Sequence, residues 1–244
     1  AGSCSAKRPG AAARTKQAVK QTGEPLVQTG WEVDAASWLW RLNDTLAGGG
    51  PLVFDDGFHK FSVIMDMMGD VEKVSAWIDS SPVLPGVYQD CPAMIMWKHK
   101  GGKRYGVMDI MDSPDMYVQS KYYTCDERME LTGTRGVIWV TRCTATMMPM
   151  VAPVVMYRDG KLHEYSDMPC DWGDSFKNST LDFIEAIKNH REPVLSGMRG
   201  REVLKFALAA IDSSRLKKEV YLDSYEDKTL QKKRGVLGIF GKRS

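Results

Sequence analysis

From Val74 to Tyr165 the chain reads as a series of short strand-like runs joined by turn chemistry, with few helix-length patterns between them. Val74, Ala76 and Ile78 alternate with polar neighbours. Further runs cover Ala93–Lys98, Arg104–Ile110, Met116–Tyr122, Arg128–Leu131, Gly136–Thr141, Pro153–Arg158 and Lys161–Tyr165. Turn residues separate them at Lys100-Gly101-Gly102-Lys103, Asp112-Ser113-Pro114-Asp115, Gly133-Thr134-Arg135-Gly136 and Arg158-Asp159-Gly160-Lys161. Connections this short favour antiparallel pairing, because a parallel crossover needs a dozen or more residues. Strands in a block, with helices before and after, predict an α+β fold rather than a doubly wound sheet.

Helices flank the block. Phe58, Phe61, Ile64, Met65 and Met68 follow the i, i+3, i+4 spacing of one buried stripe. Asp55 or Asp56 stands where an N-cap belongs, and Gly69 where a helix ends on a left-handed residue. Later, Asp171 caps a segment whose apolar side carries Trp172, Phe176, Phe183, Ile184 and Ile187. Trp172 and Phe176 are expected in the core. A further helix carries Val203, Leu204, Ala207, Leu208 and Ile211 before a short strand, Glu219–Leu222. Leu26–Val33 is predicted as one more strand. These elements predict a large, mostly antiparallel sheet of about six to nine strands with helices on one face. Met94, Met96, Met108, Trp139 and Met156 then either form an apolar second face, which a sheet-to-sheet dimer would cover, or pack beneath the helices.

Composition narrows the function classes. The 244 residues carry 33 basic and 31 acidic side chains, a formal charge of +2, and 43% hydrophobic residues. That content supports a packed core and gives no broad field for nucleic acid. Basic residues cluster towards both ends, from Lys7 to Lys20 and from Lys232 to Arg243, and residues 1–13 and 223–244 read as solvated tails around a domain over 14–222. Five widely spaced cysteines without a CxxC pair predict no zinc knuckle or dithiol site and fit reduced thiols in the cytoplasm. No apolar run approaches the roughly 18 residues of a membrane span, and no signal-peptide pattern opens the chain. No metal-ligand spacing, nucleophile elbow or GxGxxG after a strand occurs. His99, His163 and His190 fall in turn-like or charged settings and read as surface histidines.

The chemistry-bearing stretch is Gly48-Gly49-Gly50-Pro51-Leu52-Val53-Phe54-Asp55-Asp56-Gly57-Phe58-His59. Asp55 and His59 stand four apart, on one face of a helix entered from a glycine loop. An imidazole titrating near pH 6.5 suits proton exchange at neutral pH. On the residues alone, Asp55 reads first as a plain N-cap and only second as a catalytic group.

Taken in order, this stretch, a helix ending at Gly69, the strand block, Trp172-Gly173-Asp174-Ser175-Phe176 with Phe183, Ala186 and Ile187, Arg191-Glu192-Pro193, Val203–Ser214 and Val220-Tyr221-Leu222 resemble the C-terminal α/β domain of the Gfo/Idh/MocA family. Glucose-fructose oxidoreductase and inositol dehydrogenase are members. The resemblance runs from Gln17 to Leu222. It implies the open-faced sheet seen in the C-terminal domain of glyceraldehyde-phosphate dehydrogenase. It implies NAD(P)-dependent oxidation of a sugar, polyol or related secondary alcohol, with His59 as catalytic base and Asp55 as its partner. Asp56, Trp40, Arg41 and Tyr122 become candidate substrate-binding residues. The family's NAD or NADP sits on a separate Rossmann domain with a glycine fingerprint and a Glu-Lys-Pro motif. Neither motif occurs in this chain. The expectation is therefore a substrate domain that does not bind the nucleotide by itself, holds no metal, and works with a Rossmann-domain partner. The family's open sheet face implies a homo-oligomer. The alternative is a non-catalytic sugar-binding or scaffolding module of the same descent.

Overall fold

The computed structural model describes residues 25–28, 31–34, 47–84, 87–111, 128–141, 148–168 and 170–225. The chain divides into two compact units, one of residues 1–39 and 113–195, the other of 40–112 and 196–244. Every strand pair is antiparallel, and the fold is α+β as the turn chemistry predicts.

The first unit contains strands β1 (Pro25–Gln28) and β2 (Trp31–Asp34), which pair as a hairpin where a single strand over Leu26–Val33 is expected. This unit's main sheet is a meander in the order β11-β10-β9-β8. Its strands are Met129–Thr132 (β8), Gly136–Val140 (β9), Val154–Arg158 (β10) and Lys161–Tyr165 (β11). A helix follows at Trp172–Lys188, capped by Asp171, whose carboxylate accepts from the Gly173 N–H at 2.8 Å. Its apolar side departs from expectation. Only Ala186 is buried, and Phe176 and Phe183 are more than half exposed. Trp172 and Phe176 pack on each other instead, with centroids 4.6 Å apart. Downstream, Asp182 pins the returning loop by accepting from the Val194 N–H and from Arg191. Those two donors hold its carboxyl below the usual range.

The second unit carries the chemistry-bearing helix. Its strands β3 (Val71–Ile78), β6 (Ala93–His99), β7 (Tyr105–Ile110) and β12 (Val220–Tyr221) form a sheet in the order β12-β3-β6-β7. A small hairpin, β4 (Ser81–Leu84) and β5 (Val87–Gln89), lies between β3 and β6 in sequence. Helices over Gly57–Met68 (α1) and Gly197–Leu216 (α3, the Trp172 helix being α2) pack on one sheet face.

The period of two along β6 sorts its residues cleanly. Ala93, Ile95, Trp97 and His99 point inward; Met94 and Met96 point outward. Under the helices, Phe61 and Met65 of α1 meet Phe206, Ala207, Ala209 and Ala210 of α3 over Val74, Ile95 and Trp97. The alanines let α3 approach closely, and the three large rings fill the remaining space. Phe206 lies 4.3 Å from Phe61 and 5.7 Å from Trp97, centroid to centroid.

Of the five residues proposed for an apolar second face, Met94 and Met96 do face outward and are 42% and 38% exposed. Met108 does not. It stands opposite Ile95 on β6 and packs against the core. Trp139 and Met156 belong to the other unit's sheet, where the Trp139 indole donates to Glu130 at 2.8 Å.

Where β12 ends, α3 completes the edge of β3. Pairing with β12 reaches only Lys73 and Val74. Further along, the Ala76 N–H donates to Ser213 Oγ at 3.1 Å and the Ile78 N–H to Ser214 Oγ at 2.9 Å. Ser213 Oγ in turn donates to the Lys218 carbonyl at 2.7 Å. Ser213 is 1% exposed. Replacing it with alanine orphans a buried N–H and should lower stability by about 1–3 kcal/mol. Urea unfolding checks this; a loss below about 0.5 kcal/mol would show that water takes over the bond.

Candidate functional site

The helix that carries His59 begins earlier, and differently, than its sequence predicts. Pro51–Asp56 forms a wide π-helical turn, and α1 continues from Gly57. The Asp55 N–H reaches back five residues to the Gly50 carbonyl at 3.1 Å. Neither Asp55 nor Asp56 caps the helix. The cap position is Gly50, and Pro51 occupies the first helical position, where its missing N–H costs nothing.

The cap itself comes from the segment between β5 and β6. The Leu52 N–H donates to Asp90 Oδ1 at 2.8 Å and the Val53 N–H to Asp90 Oδ2 at 2.7 Å. One carboxylate thus satisfies two consecutive orphan donors and meets the positive end of the helix dipole. The glycine loop is shaped around its contacts. A Cβ on Gly49 would lie 2.5–2.6 Å from the Phe54 side chain, and one on Gly50 2.1–2.5 Å from the Asp90 carboxylate.

Three of the six sequence-derived candidates are brought together here. Asp55 is partly buried at the end of the wide turn, and His59 is exposed one turn on. Asp56 is committed to an ion pair with Lys60, one helical turn away. Trp40, Arg41 and Tyr122 lie outside the described residues. Sequence reasoning missed Asp90. Pro51 carried a signal for an early helix start, but nothing local points to a cap 38 residues away.

The other end of α1 is clasped from three elements. Gly69, at φ 84°, ends the helix with its N–H on the Met65 carbonyl. Arg104 donates to the Met68 carbonyl at 2.6 Å. Arg199 of α3 pairs with Asp70 at 3.0 Å. His99 corrects the sequence reading outright. It is 1% exposed, its Nδ1 lies 2.8 Å from the Gly69 carbonyl, and its Nε2 accepts from the Trp97 indole at 2.9 Å. Those partners fix a neutral tautomer with the proton on Nδ1. Burial pushes its pKa down, and the nearby Arg104 adds to the effect. Its strand position decides this: as an odd member of β6 counted from Ala93, it points into the core with Ile95 and Trp97. His163 and His190 are exposed, as expected.

The family model described as "Oxidoreductase family, C-terminal alpha/beta domain" (GFO_IDH_MocA_C) matches residues 26–222. The chain belongs to this family. No curated protein matches the sequence significantly. Solved structures do. An oxidoreductase from Agrobacterium radiobacter in complex with NAD+, L-tartaric acid and magnesium is 16% identical, with a TM-score of 0.59 over 87% of this chain and 62% of its own. A levoglucosan dehydrogenase with NADH and levoglucosan is 16% identical, with a TM-score of 0.56 over 86% and 62%. An oxidoreductase from Thermotoga maritima is 19% identical, with a TM-score of 0.54 over 89% and 60%. At these identities the likeness establishes the shared fold. The Gfo/Idh/MocA chain here spans 60–62% of the length of these three proteins.

The family implies a nicotinamide nucleotide, and the glycine loop offers a test of where one could sit. A phosphate at a helix N-terminus needs free backbone N–H groups. Here Pro51 has none, and those of Leu52 and Val53 are taken by an anion of the chain's own. The loop does not fit a nucleotide's phosphates. Among the described residues no cluster of three or more His, Cys, Asp or Glu side chains has the makings of a metal site, and no helix is long and apolar enough to cross a membrane.

Proposed function

We propose that this chain is the substrate-binding part of an NAD(P)-dependent oxidoreductase acting on a sugar, polyol or related secondary alcohol. The observation that carries the reading is the exposed His59 imidazole on α1, one turn beyond Asp55, within a Gfo/Idh/MocA domain. The nucleotide, bound on a separate Rossmann domain, supplies the hydride acceptor. His59 takes the hydroxyl proton of the alcohol as its carbon is oxidised. Asp55 holds the imidazolium or a neighbouring hydroxyl. Trp40 and Arg41 complete the substrate contacts in this proposal. This reading places the chain in the cytoplasm, where widely spaced cysteines stay reduced.

The test combines this chain with the nucleotide-binding domain of its own enzyme, whether fused or separate, and follows NADH formation against a panel of sugars and polyols. The expected result is oxidation by the combination and a fall in kcat of about 100-fold for His59→Ala. Unchanged turnover in that variant removes His59 from the chemistry. Saturable NADH binding to the isolated chain overturns the assignment of the cofactor to another domain.

The same reading includes self-association through the outer face of the β12-β3-β6-β7 sheet. There Trp77, Met94, Met96, Tyr105 and Val107 are exposed on strands whose opposite face is core. Val107→Glu places a charge beside Met96 on the edge strand of that face and should halve the sedimenting mass of a dimer. An unchanged mass would exclude this face as the interface.

A further inference from the structure

We propose that Asp90 is the positioning residue of the candidate site: seated against Gly50, its carboxylate holds Pro51–Asp56 in the wide-turn form and so sets where Asp55 stands relative to His59. The inference rests on the function proposed above only for the chemical role of His59. Its structural part is independent.

Three contacts form a chain from Asp90 to Asp55. The two carboxylate oxygens accept from the consecutive Leu52 and Val53 N–H groups at 2.8 and 2.7 Å. A bidentate acceptor fits two donors aimed the same way. An asparagine offers one oxygen there and would turn its own N–H₂ toward the second donor. The same carboxylate fills the space beside Gly50, within 2.1–2.5 Å of where a Cβ would be. Gly50 and Asp90 are therefore one steric unit: the missing side chain at 50 is the seat for the carboxylate. Finally, the Gly50 carbonyl accepts the Asp55 N–H at 3.1 Å across five residues. The residue that Asp90 fixes is the residue that anchors Asp55.

Without that anchor, ordinary α geometry would pair the Asp55 N–H with the Pro51 carbonyl, one residue later. The helix would tighten, and the Asp55 side chain would swing around the axis relative to His59. Asp90 can act as a fixed point because its strand-side neighbours are immobilised. Cys91 is fully buried, and Ala93 and Ile95 begin β6 in the core.

The experiment uses the whole chain and needs no substrate. Amide hydrogen exchange and the NMR signals of the His59 ring are compared among wild type, Asp90→Asn, Asp90→Ala, Gly50→Ala and the Gly50→Ala/Asp90→Ala double variant. Asp90→Asn should raise exchange at the Leu52, Val53 and Asp55 amides about tenfold, the size of a lost helix cap, while β6 and α3 amides stay within about twofold. The His59 ring signals should move with it. Gly50→Ala should do the same in the wild-type background and add little once Asp90 is alanine, because the clash is then gone. Should Asp90→Ala fail to fold, Asp90→Asn carries the comparison. A uniform rise across the core, an unmoved Asp55 amide, or additive effects of the two substitutions would each overturn the proposal. Failure of the dehydrogenase assay leaves these exchange results untouched, so the two readings fail separately.

Discussion

Replacing Phe206 with alanine should lower the stability of the unit that carries α1 by about 3–5 kcal/mol, the upper range for a buried aromatic truncation. Phe206 is 0% exposed and stands at the junction of three elements. Its ring touches Phe61 from α1 and Trp97 from β6. Around it are Ala207, Ala209 and Ala210, which have no length with which to refill the space. Collapse into the cavity is therefore limited, and the cost lies in both lost burial and lost packing. Phe206→Leu, which keeps most of the volume, should cost clearly less. Urea unfolding followed by tryptophan fluorescence reads both, since Trp97 lies against the site of change. A loss below about 1 kcal/mol for the alanine variant would mean that the helices close over the gap. The effect matters for function because Phe61 is on the buried side of the helix whose exposed side presents His59.

How much of this was readable beforehand divides by range of interaction. Strand and turn positions are local properties, and the described runs between Val71 and Tyr165 show it, the expected strand over Met116–Tyr122 lying outside the described residues. Lys161–Tyr165 is a strand at its expected residues, and the Gly133–Gly136 turn joins β8 to β9 where the glycines stand. Asp171 caps α2 as its sequence position suggests. The features that failed are those decided across the fold. Asp55 is a good local N-cap candidate, yet Asp90 supplies the cap from 38 residues away. His99 sits beside the turn Lys100-Gly101-Gly102-Lys103 and looks like a surface residue, yet the period of β6 turns it inward against Gly69. Phe176 and Phe183 have the periodicity of a buried stripe, but periodicity marks a face that is apolar without naming what covers it. Met94, Met96 and Met108 are alike in composition, and only the register of β6 against β7 separates the outward pair from the inward one.

His99 is the second position where a large effect is expected. His99→Leu keeps the apolar bulk but strips two buried groups of their partner, the Trp97 indole N–H and the Gly69 carbonyl. Each orphaned group costs about 1–3 kcal/mol. The substitution should also change how stability responds to acid. Burial is the main cause that lowers the pKa of the folded His99, opposed by the hydrogen bond to the Gly69 carbonyl and by Asp70 and assisted by the Arg104 cation. In the unfolded chain the imidazole titrates near 6.5. Above that pH it is neutral in both states, and its contribution is complete. As pH falls below about 6.5 the unfolded chain binds a proton that the native state refuses, so stability declines by at most about 1.36 kcal/mol per pH unit until the folded pKa is passed. Protonation at Nε2 would also expel the Trp97 indole, since both nitrogens would then be donors. The carboxyls held low by their partners, Asp182 and Asp223, begin to matter only in more acidic solution. Urea midpoints from pH 8 down to about 5 therefore isolate the histidine. Wild type should lose stability across that range, and His99→Leu, less stable at pH 8, should show a flatter profile. Parallel profiles would mean that His99 takes up its proton as readily in the native state as in the unfolded chain, and that the Trp97–His99–Gly69 arrangement does not persist in solution. Because that arrangement grips the carbonyl of Gly69, the residue that ends the helix bearing His59, its release by acid should also reach the site, raising exchange at the C-terminal amides of α1 before β3 or β6 opens.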